Sequence, residues 1–198
     1  MRAYRLIGFI DGENLVARYQ SMLTGGSKPK IDVLYERDVY VWHPAITELS
    51  YCDIVRLSFY QTVVGDEQKL NAVRKQIQEI SYKFEPDTAA ANQSSANGNL
   101  HPRIFKKESR NAKTKSVDIN LTVDILRHAY QSKFDVILLL SGDGDYLPLI
   151  EEVSRFGMQV WVAAFSNGLN PQLRFAADEF FDLDEIFFER QHPDQTEA

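Results

Sequence analysis

The sequence lacks the features of a disulfide-bonded protein, a zinc protein or a membrane protein. Its one cysteine, Cys52, excludes an internal disulfide and a cysteine-based zinc site, and the four histidines show no metal-ligand spacing. The longest apolar runs, such as Val136–Leu140, are far shorter than the roughly 20 residues of a membrane-spanning helix. An acidic residue also follows the N-terminal apolar run too early for a signal peptide. We therefore expect a cytoplasmic protein without a membrane partner, in which oxygen ligands hold any metal ion.

Basic residues do not outnumber acidic ones, and the negative charge is concentrated at the C-terminus. The 198 residues carry a net charge of −6. The segment 178–198 alone holds eight acidic residues and one arginine, which leaves 21 basic and 20 acidic residues in 1–177. With 44% hydrophobic and 25% charged residues, this length predicts a single globular domain at 1–190 and an acidic tail at 191–198.

One segment of this nearly neutral body is strongly basic. The basic strip, residues 103–115, contains one acidic residue, Glu108, and six cations: Arg103, Lys106, Lys107, Arg110, Lys113 and Lys115. Such a strip is compatible with a solvated loop and with a surface that binds nucleic-acid phosphates. An acidic metal site beside it would favour the second interpretation.

Hydrophobic periodicity predicts an alternation of strands and helices. The predicted strands are 6–10, Asp53–Val64, 134–140 and 159–163. The predicted helices are 13–23, 37–50, 66–81, Ser116–Gln131 and one that ends near residue 155, with a closing strand or helix in the aromatic C-terminal part. The segment 85–100, rich in Ala, Asn and Ser, is predicted to be a mobile loop within the domain. This order predicts an α/β fold with helices on both faces of a mostly parallel sheet.

Two acidic clusters stand directly after predicted strands. Asp11 follows the run 6–10, and Asp143 and Asp145, separated by one glycine, follow the run 134–140. In parallel sheets, ligands bind outside the carboxyl ends of the strands, near the point where the strand order reverses. We therefore expect these aspartates to lie at the same edge of the sheet.

Clustered carboxylates suit a hard divalent cation. Mg²⁺ prefers oxygen ligands, keeps several waters and is usually held by one or two carboxylates together with a substrate phosphate. Such an ion can orient and acidify a water for attack on a phosphodiester. Without the ion, the carboxylates repel one another, and this repulsion raises the pKa of at least one of them.

Three short motifs follow one another along the chain: Asp11-Gly12-Glu13-Asn14, Lys115-Ser116-Val117-Asp118 and Ser141-Gly142-Asp143-Gly144-Asp145. Together they resemble the NYN domain family, a branch of the PIN-like nucleases that includes the LabA-like bacterial proteins. The resemblance runs from about residue 4 to residue 184, although 66–111 carries no motif. It implies a PIN-like three-layer α/β/α fold, Mg²⁺ or Mn²⁺ as the cofactor, and single-stranded or structured RNA as the substrate.

The resemblance also assigns roles to individual residues. It implies four catalytic and metal-binding aspartates, Asp11, Asp118, Asp143 and Asp145. It implies supporting roles for Asn14 and Ser141.

Simpler roles stay open for several of these residues. A helix N-cap suits Asp11 and Asp145, and the helix dipole favours Asp118 in a first turn whether or not it binds a metal ion. Asp124 lies about 120° around the helix from Asp118, so the two cannot easily reach one ion. Its role is undecided, and Arg127 and His128 are candidate partners.

The leading hypothesis is a Mg²⁺- or Mn²⁺-dependent endoribonuclease whose basic strip follows the RNA backbone. The alternative is a regulatory module of the same fold that binds RNA or protein partners and cuts slowly or not at all. Retention of all four aspartates favours the enzyme. A phosphatase or receiver-like domain expects an acidic pair after the first strand and a lysine after a late strand, and the sequence has neither. The oligomeric state, including a homodimer, is left open.

Overall fold

A six-stranded sheet forms the centre of the fold. The computed structural model describes residues 4–48, 52–84, 96–109 and 116–190. Its helices and strands are β1 (Arg5–Asp11), α1 (Gly12–Thr24), β2 (Leu34–Glu36), β3 (Tyr40–Trp42), β4 (Asp53–Val64), α2 (Glu67–Glu79), β5 (Ser81–Phe84), β6 (Ala96–Asn99), β7 (His101–Lys107), α3 (Ser116–Gln131), β8 (Val136–Leu140), α4 (Leu147–Arg155), β9 (Gln159–Ala164), α5 (Pro171–Ala176), β10 (Glu179–Asp182) and α6 (Leu183–Phe187). The central sheet has the order β10-β9-β8-β1-β4-β7, and all its neighbours are parallel. Strands β2 and β3, and strands β5 and β6, form two small antiparallel pairs.

The strand order reverses beside β1. From β1 the chain passes to β4 and β7 on one side of the sheet and then returns to β8, β9 and β10 on the other side. The carboxyl ends of β1 and β8 therefore flank the crevice in which sheets of this kind bind ligands. Asp11 is the last residue of β1, and Ser141 follows the last residue of β8.

Helices cover both faces of the sheet. Side chains alternate along a strand, so Leu6 and Ile10 of β1 enter one apolar core while Ile7 and Phe9 enter a second. The first core contains buried residues of α1, α2 and α6, and the second contains those of α3, α4 and α5. The structure thus confirms the three-layer α/β/α fold with a parallel central sheet.

Most of the predicted elements are confirmed. Strands β1, β4, β8 and β9 and helices α1, α2, α3 and α4 lie within a few residues of their predicted bounds. The C-terminal part forms both a strand, β10, and a short helix, α6. None of the helices in the described part of the chain is long and apolar enough to cross a membrane.

The helix predicted at 37–50 is wrong. This segment contains β3 and a 3-10 turn at Pro44–Ile46. Asp38 has a φ of 62°, a left-handed conformation that a right-handed helix cannot contain. Tyr40–Trp42 then pairs with β2, and the side chain of Trp42 is fully buried in the first core. Burial of this short hairpin outweighs the helical spacing of the sequence.

The loop predicted at 85–100 is wrong in its last part. Residues 96–99 form β6, which pairs with β5, whereas 85–95 lie outside the described residues. The acidic tail predicted at 191–198 lies outside them as well.

The basic strip begins as an edge strand of the central sheet. Residues 101–107 form β7, which pairs with β4 and buries Ile104. Three of the predicted cations, Arg103, Lys106 and Lys107, are on this strand. The other three lie outside the described residues: Arg110, Lys113 and Lys115.

Candidate acidic site at the sheet edge

Asp11 lies at the carboxyl end of β1, where the chain turns directly into α1. Its side chain is only 3% exposed and caps α1, since the backbone N–H of Asn14 donates to Oδ1 at 3.1 Å. The hydroxyl of Ser141 donates to Oδ2 at 3.0 Å. Each oxygen accepts one hydrogen bond and retains a lone pair for another ligand, so capping and ligand binding are compatible.

The negative charge of Asp11 is poorly compensated. Burial raises the pKa of this carboxyl from 3.8 to about 7, although the hydrogen bonds from Asn14 and Ser141 lower it. The charges on Asp118 and Glu13 raise the pKa further. An ionised carboxylate in this position is therefore unfavourable on its own, and a cation beside it would relieve that cost.

Asn14 and Ser141 join the start of α1 to the turn that follows β8. The side-chain Oδ1 of Asn14 accepts the backbone N–H of Gly142 at 3.1 Å. Ser141 is fully buried, and its Oγ accepts the N–H of Asp143 at 3.2 Å while it donates to Asp11. These hydrogen bonds fix the position of the start of α1 relative to the turn after β8, the two segments that flank the crevice.

Asp143 and Asp145 differ in their surroundings. Asp143 is half-buried and caps a 3-10 turn at Gly144–Tyr146, because its Oδ1 accepts the N–H of Asp145 at 3.0 Å. The side chain of Asp145 is exposed to solvent. Asp143 is therefore the better placed of the two to act inside the crevice.

Tyr146 lies among three of the predicted carboxylates. It is 3% exposed, and its hydroxyl donates to Oδ1 of Asp118 at 3.4 Å. Burial raises the pKa of Tyr146, and the charges on Asp11, Asp118 and Asp143 raise it further. Tyr146 thus contacts Asp118 directly and lies close enough to Asp11 and Asp143 for their charges to act on it. Sequence reasoning missed Tyr146, since a buried tyrosine after a turn looks like an ordinary core residue.

Asp124 does not belong to this acidic cluster. Its Oδ2 accepts hydrogen bonds from the Tyr60 hydroxyl at 2.8 Å and from Arg103 at 3.0 Å, and its Oδ1 accepts one from Arg127 at 2.8 Å. Its charge is therefore compensated within the protein, and its role is structural. Arg103 is an ion-pair partner of Asp124 and not a free cation of the basic strip.

Lys106 and Lys107 lie at the carboxyl end of β7, on the same sheet edge as Asp11. Lys106 is exposed and makes no ion pair with any residue that the structure describes. Lys107 is more buried, and its Nζ lies 3.5 Å from Oε1 of Glu13. The described end of the basic strip therefore faces the edge that carries the acidic cluster.

Arg18 is a second residue that sequence reasoning missed. It lies one helical turn after Asn14 on α1, and its buried Nε has no hydrogen-bond partner within the part of the chain that the structure describes. Its guanidinium packs against Gly168, which has a φ of 75°, and a Cβ at that glycine would lie 2.3 Å from Cζ of Arg18. The same loop contacts the turn after β8, since the N–H of Asn170 donates to the carbonyl of Gly142 at 3.0 Å. No sequence motif marks this contact.

The donor set of the crevice fits a hydrated divalent cation. Its oxygen ligands are carboxylates and a hydroxyl, the type that Mg²⁺ and Mn²⁺ prefer. Within the described ranges, no three acidic, histidine or cysteine side chains converge as a complete set of metal ligands. An ion held directly by one or two carboxylates and otherwise by water requires no such set. The uncompensated charge at Asp11 is the observation that favours a cation here.

The protein has a three-layer α/β/α fold with an all-parallel sheet and an acidic crevice beside strand β1. These features define its structural class. The chain belongs to the NYN domain family, whose profile matches residues 5–184. The family resemblance predicted from the three motifs is thereby confirmed.

Two individual proteins are similar to this chain. The chain is 25% identical over 185 residues to the low amplitude and bright protein LabA of Synechococcus elongatus. The aligned region covers 93% of this chain and 87% of LabA. A crystal structure of a protein of unknown function from Vibrio parahaemolyticus matches with a TM-score of 0.57 at 17% identity, over 95% of this chain and 98% of that one. The second match supports the fold alone.

Proposed function

We propose that this protein is a ribonuclease that hydrolyses RNA phosphodiester bonds with Mg²⁺ or Mn²⁺ bound at the acidic crevice. The observation that carries the proposal is the buried, uncompensated Asp11, which shares the crevice between β1 and β8 with Asp118 and Asp143. Membership of the NYN domain family, a PIN-like nuclease family, supports the same chemistry.

The side chains of the crevice divide into ligands and residues that position them. Asp11, Asp118 and Asp143 would hold the ion, with the exposed Asp145 acting through water. When bound, the ion supplies an activated water and neutralises charge on the phosphate oxygens. Asn14 and Ser141 fix the carboxylates through the hydrogen bonds described above.

Tyr146 and Arg18 supply hydrogen-bond donors of two kinds. The raised pKa of Tyr146 keeps its hydroxyl protonated, so it donates to Asp118 at every physiological pH. The Nε of Arg18 has no hydrogen-bond partner among the described residues, and the fork of a guanidinium matches the oxygens of a phosphate. We assign Tyr146 to positioning Asp118 and Arg18 to binding the RNA backbone.

The decisive experiment is cleavage of labelled RNA and DNA of identical sequence by the purified protein. We expect RNA to be cut at internal positions with Mn²⁺ or Mg²⁺, and no cutting in EDTA, because the aspartates alone activate no water. Cleavage of DNA at the same rate would overturn the RNA preference. RNA binding without cleavage under every metal condition would instead identify a binding module of the same fold.

We expect Lys106→Glu to weaken RNA binding and to reduce the slope of log Kd against log salt concentration. Loss of one phosphate contact lowers the number of released counterions by about one, and the new charge adds repulsion. The readout is RNA affinity in EDTA at several salt concentrations. The control is Lys133→Glu, since Lys133 is also exposed but precedes β8 at the opposite end of the sheet. Equal affinities and slopes for both variants would show that Lys106 does not contact RNA.

A further inference from the structure

A cavity of about 440 Å³ opens at the same sheet edge as the acidic crevice. We call it the α1 cavity, because Glu13, Val16 and Ala17 of α1 form one wall. Val16 packs in the first core, whereas Tyr146 belongs to the second, so the two sites lie on different faces of the sheet. Glu13 connects them, since it lines the cavity and its charge acts on Asp11. The volume falls within the range of small-molecule sites, roughly 300 to 1,000 Å³.

The charges that line the α1 cavity favour an anionic ligand. Three cations, Arg37, Lys69 and Lys107, face two acids, Glu13 and Asp38. The Nζ of Lys107 lies 3.5 Å from Oε1 of Glu13, so the positive charge of Lys107 is partly compensated within the protein. The side chains of Arg37 and Lys69 make no hydrogen bond or ion pair with the residues that the structure describes. The cavity therefore has cationic donors in excess, and phosphate oxygens are the acceptors that such donors bind.

The remaining polar groups of the cavity are held in place by the fold. The Nε2 of Gln20 donates to the Tyr35 hydroxyl at 3.0 Å and to Asp38 Oδ1 at 3.1 Å, which leaves its Oε1 as an acceptor. The amide of Gln61 donates to the carbonyl of Val39 at 2.9 Å. Fixed amides of this kind recognise hydroxyl and amino groups without losing further side-chain entropy.

We propose that the α1 cavity binds one nucleotide unit. Its phosphate contacts the cationic group, and its sugar or base packs against Val16, Ala17, Val39 and Val63 with Gln20 as a hydrogen-bond acceptor. Phosphate-binding cations, a fixed amide and an apolar wall together match a nucleotide better than they match a simple anion. The inference rests on the proposed function in one respect: the natural source of the unit is the RNA next to the cleaved bond.

The test is binding of the four ribonucleoside 5′-monophosphates in EDTA, so that no metal-mediated contact to the aspartates contributes. Ala17→Trp should fill the cavity, because Ala17 is exposed on its wall and the substitution leaves the core intact. We expect at least one nucleotide to bind the parent protein with a Kd below about 1 mM and to bind Ala17→Trp at least tenfold more weakly. The matched control is Ala72→Trp, on an exposed position of α2 outside the cavity. It should bind like the parent.

Failure to bind any of the four nucleotides, or equal binding by Ala17→Trp and the parent, would overturn this proposal. If a nucleotide binds the parent and Ala17→Trp weakens this binding, the KM for RNA distinguishes between the two sources of the nucleotide, RNA and the free nucleotide. A raised KM in Ala17→Trp identifies a unit of the RNA, and an unchanged KM together with lost nucleotide binding identifies a free nucleotide. Asp143→Asn should keep its nucleotide affinity. A protein that binds nucleotides but cuts no RNA would contradict the proposed nuclease function and leave the cavity assignment standing.

Discussion

Asp143→Asn and Asp11→Asn should each lower the rate of RNA cleavage by at least about 100-fold, a loss of the size seen when one preorganised catalytic group is removed. Each change removes a charged ligand and keeps nearly the same shape. The new amide oxygen can still accept the N–H of Asn14 or Asp145, so the helix and turn caps survive. We therefore expect folding to be retained and cleavage to be lost.

The measurement is single-turnover cleavage at saturating Mn²⁺, together with the melting temperature of each variant. Asp66→Asn is the matched control, because Asp66 caps α2 through the N–H of Lys69 at 2.9 Å and lies outside the acidic crevice. It should cut RNA at the parent rate. Parent-like cleavage by both crevice variants would remove the basis for the proposed metal site.

The contribution of Asp11 to the stability of the metal-free protein should fall as pH rises through the range from about 4 to about 7. The folded protein holds a proton on Asp11 up to a pKa of about 7, whereas the unfolded chain releases it near 3.8. Between these values the native state binds more protons than the unfolded state, so the free energy of unfolding decreases with pH. At about 1.4 kcal/mol per unit, the total contribution of this carboxyl is on the order of 4 kcal/mol.

Chemical denaturation in EDTA at several pH values between 5 and 8 measures this effect. The Asp11→Asn variant carries no titrating group at this position, so the difference in unfolding free energy between variant and parent isolates the contribution of Asp11. We expect Asp11→Asn to be more stable than the parent at pH 8, and the difference in unfolding free energy between the two proteins to decrease toward pH 5. A gap that does not change with pH would show that Asp11 titrates normally. Saturating Mg²⁺ should stabilise the parent at pH 8 and leave the variant nearly unaffected.

The elements that hold the acidic crevice are those that the sequence predicts best. The strand that ends at Asp11 and the strand before Ser141 are continuous apolar runs, as buried parallel strands are. Helix α3 begins at Ser116 as predicted, which places Asp118 in its first turn. For these elements local pattern and tertiary environment agree, and the topology of the parallel sheet places the carboxyl ends of β1 and β8 at the same edge.

The parts that the sequence did not predict depend on contacts between distant segments. β7 is a strand because Ile104 packs under α2 and its backbone pairs with β4, and neither contact leaves a local pattern among basic residues. Asp124 accepts a hydrogen bond from Tyr60 and forms an ion pair with Arg103, which lie 64 and 21 positions away in sequence. Arg18 is recognisable only once Gly168 is seen against it. Neither the amino-acid composition nor the spacing of residues in the sequence indicates such pairs.

Because Arg18 packs against Gly168, a substitution at one of these two distant positions affects the other. Any side chain at 168 would have to adopt a left-handed backbone and also displace the guanidinium. We expect a family member that has lost this glycine to have lost the arginine as well, and with it the phosphate contact proposed above for Arg18. The presence of both residues in a relative would then indicate that the contact proposed for Arg18 is retained, and two positions of the relative's sequence are enough to check this.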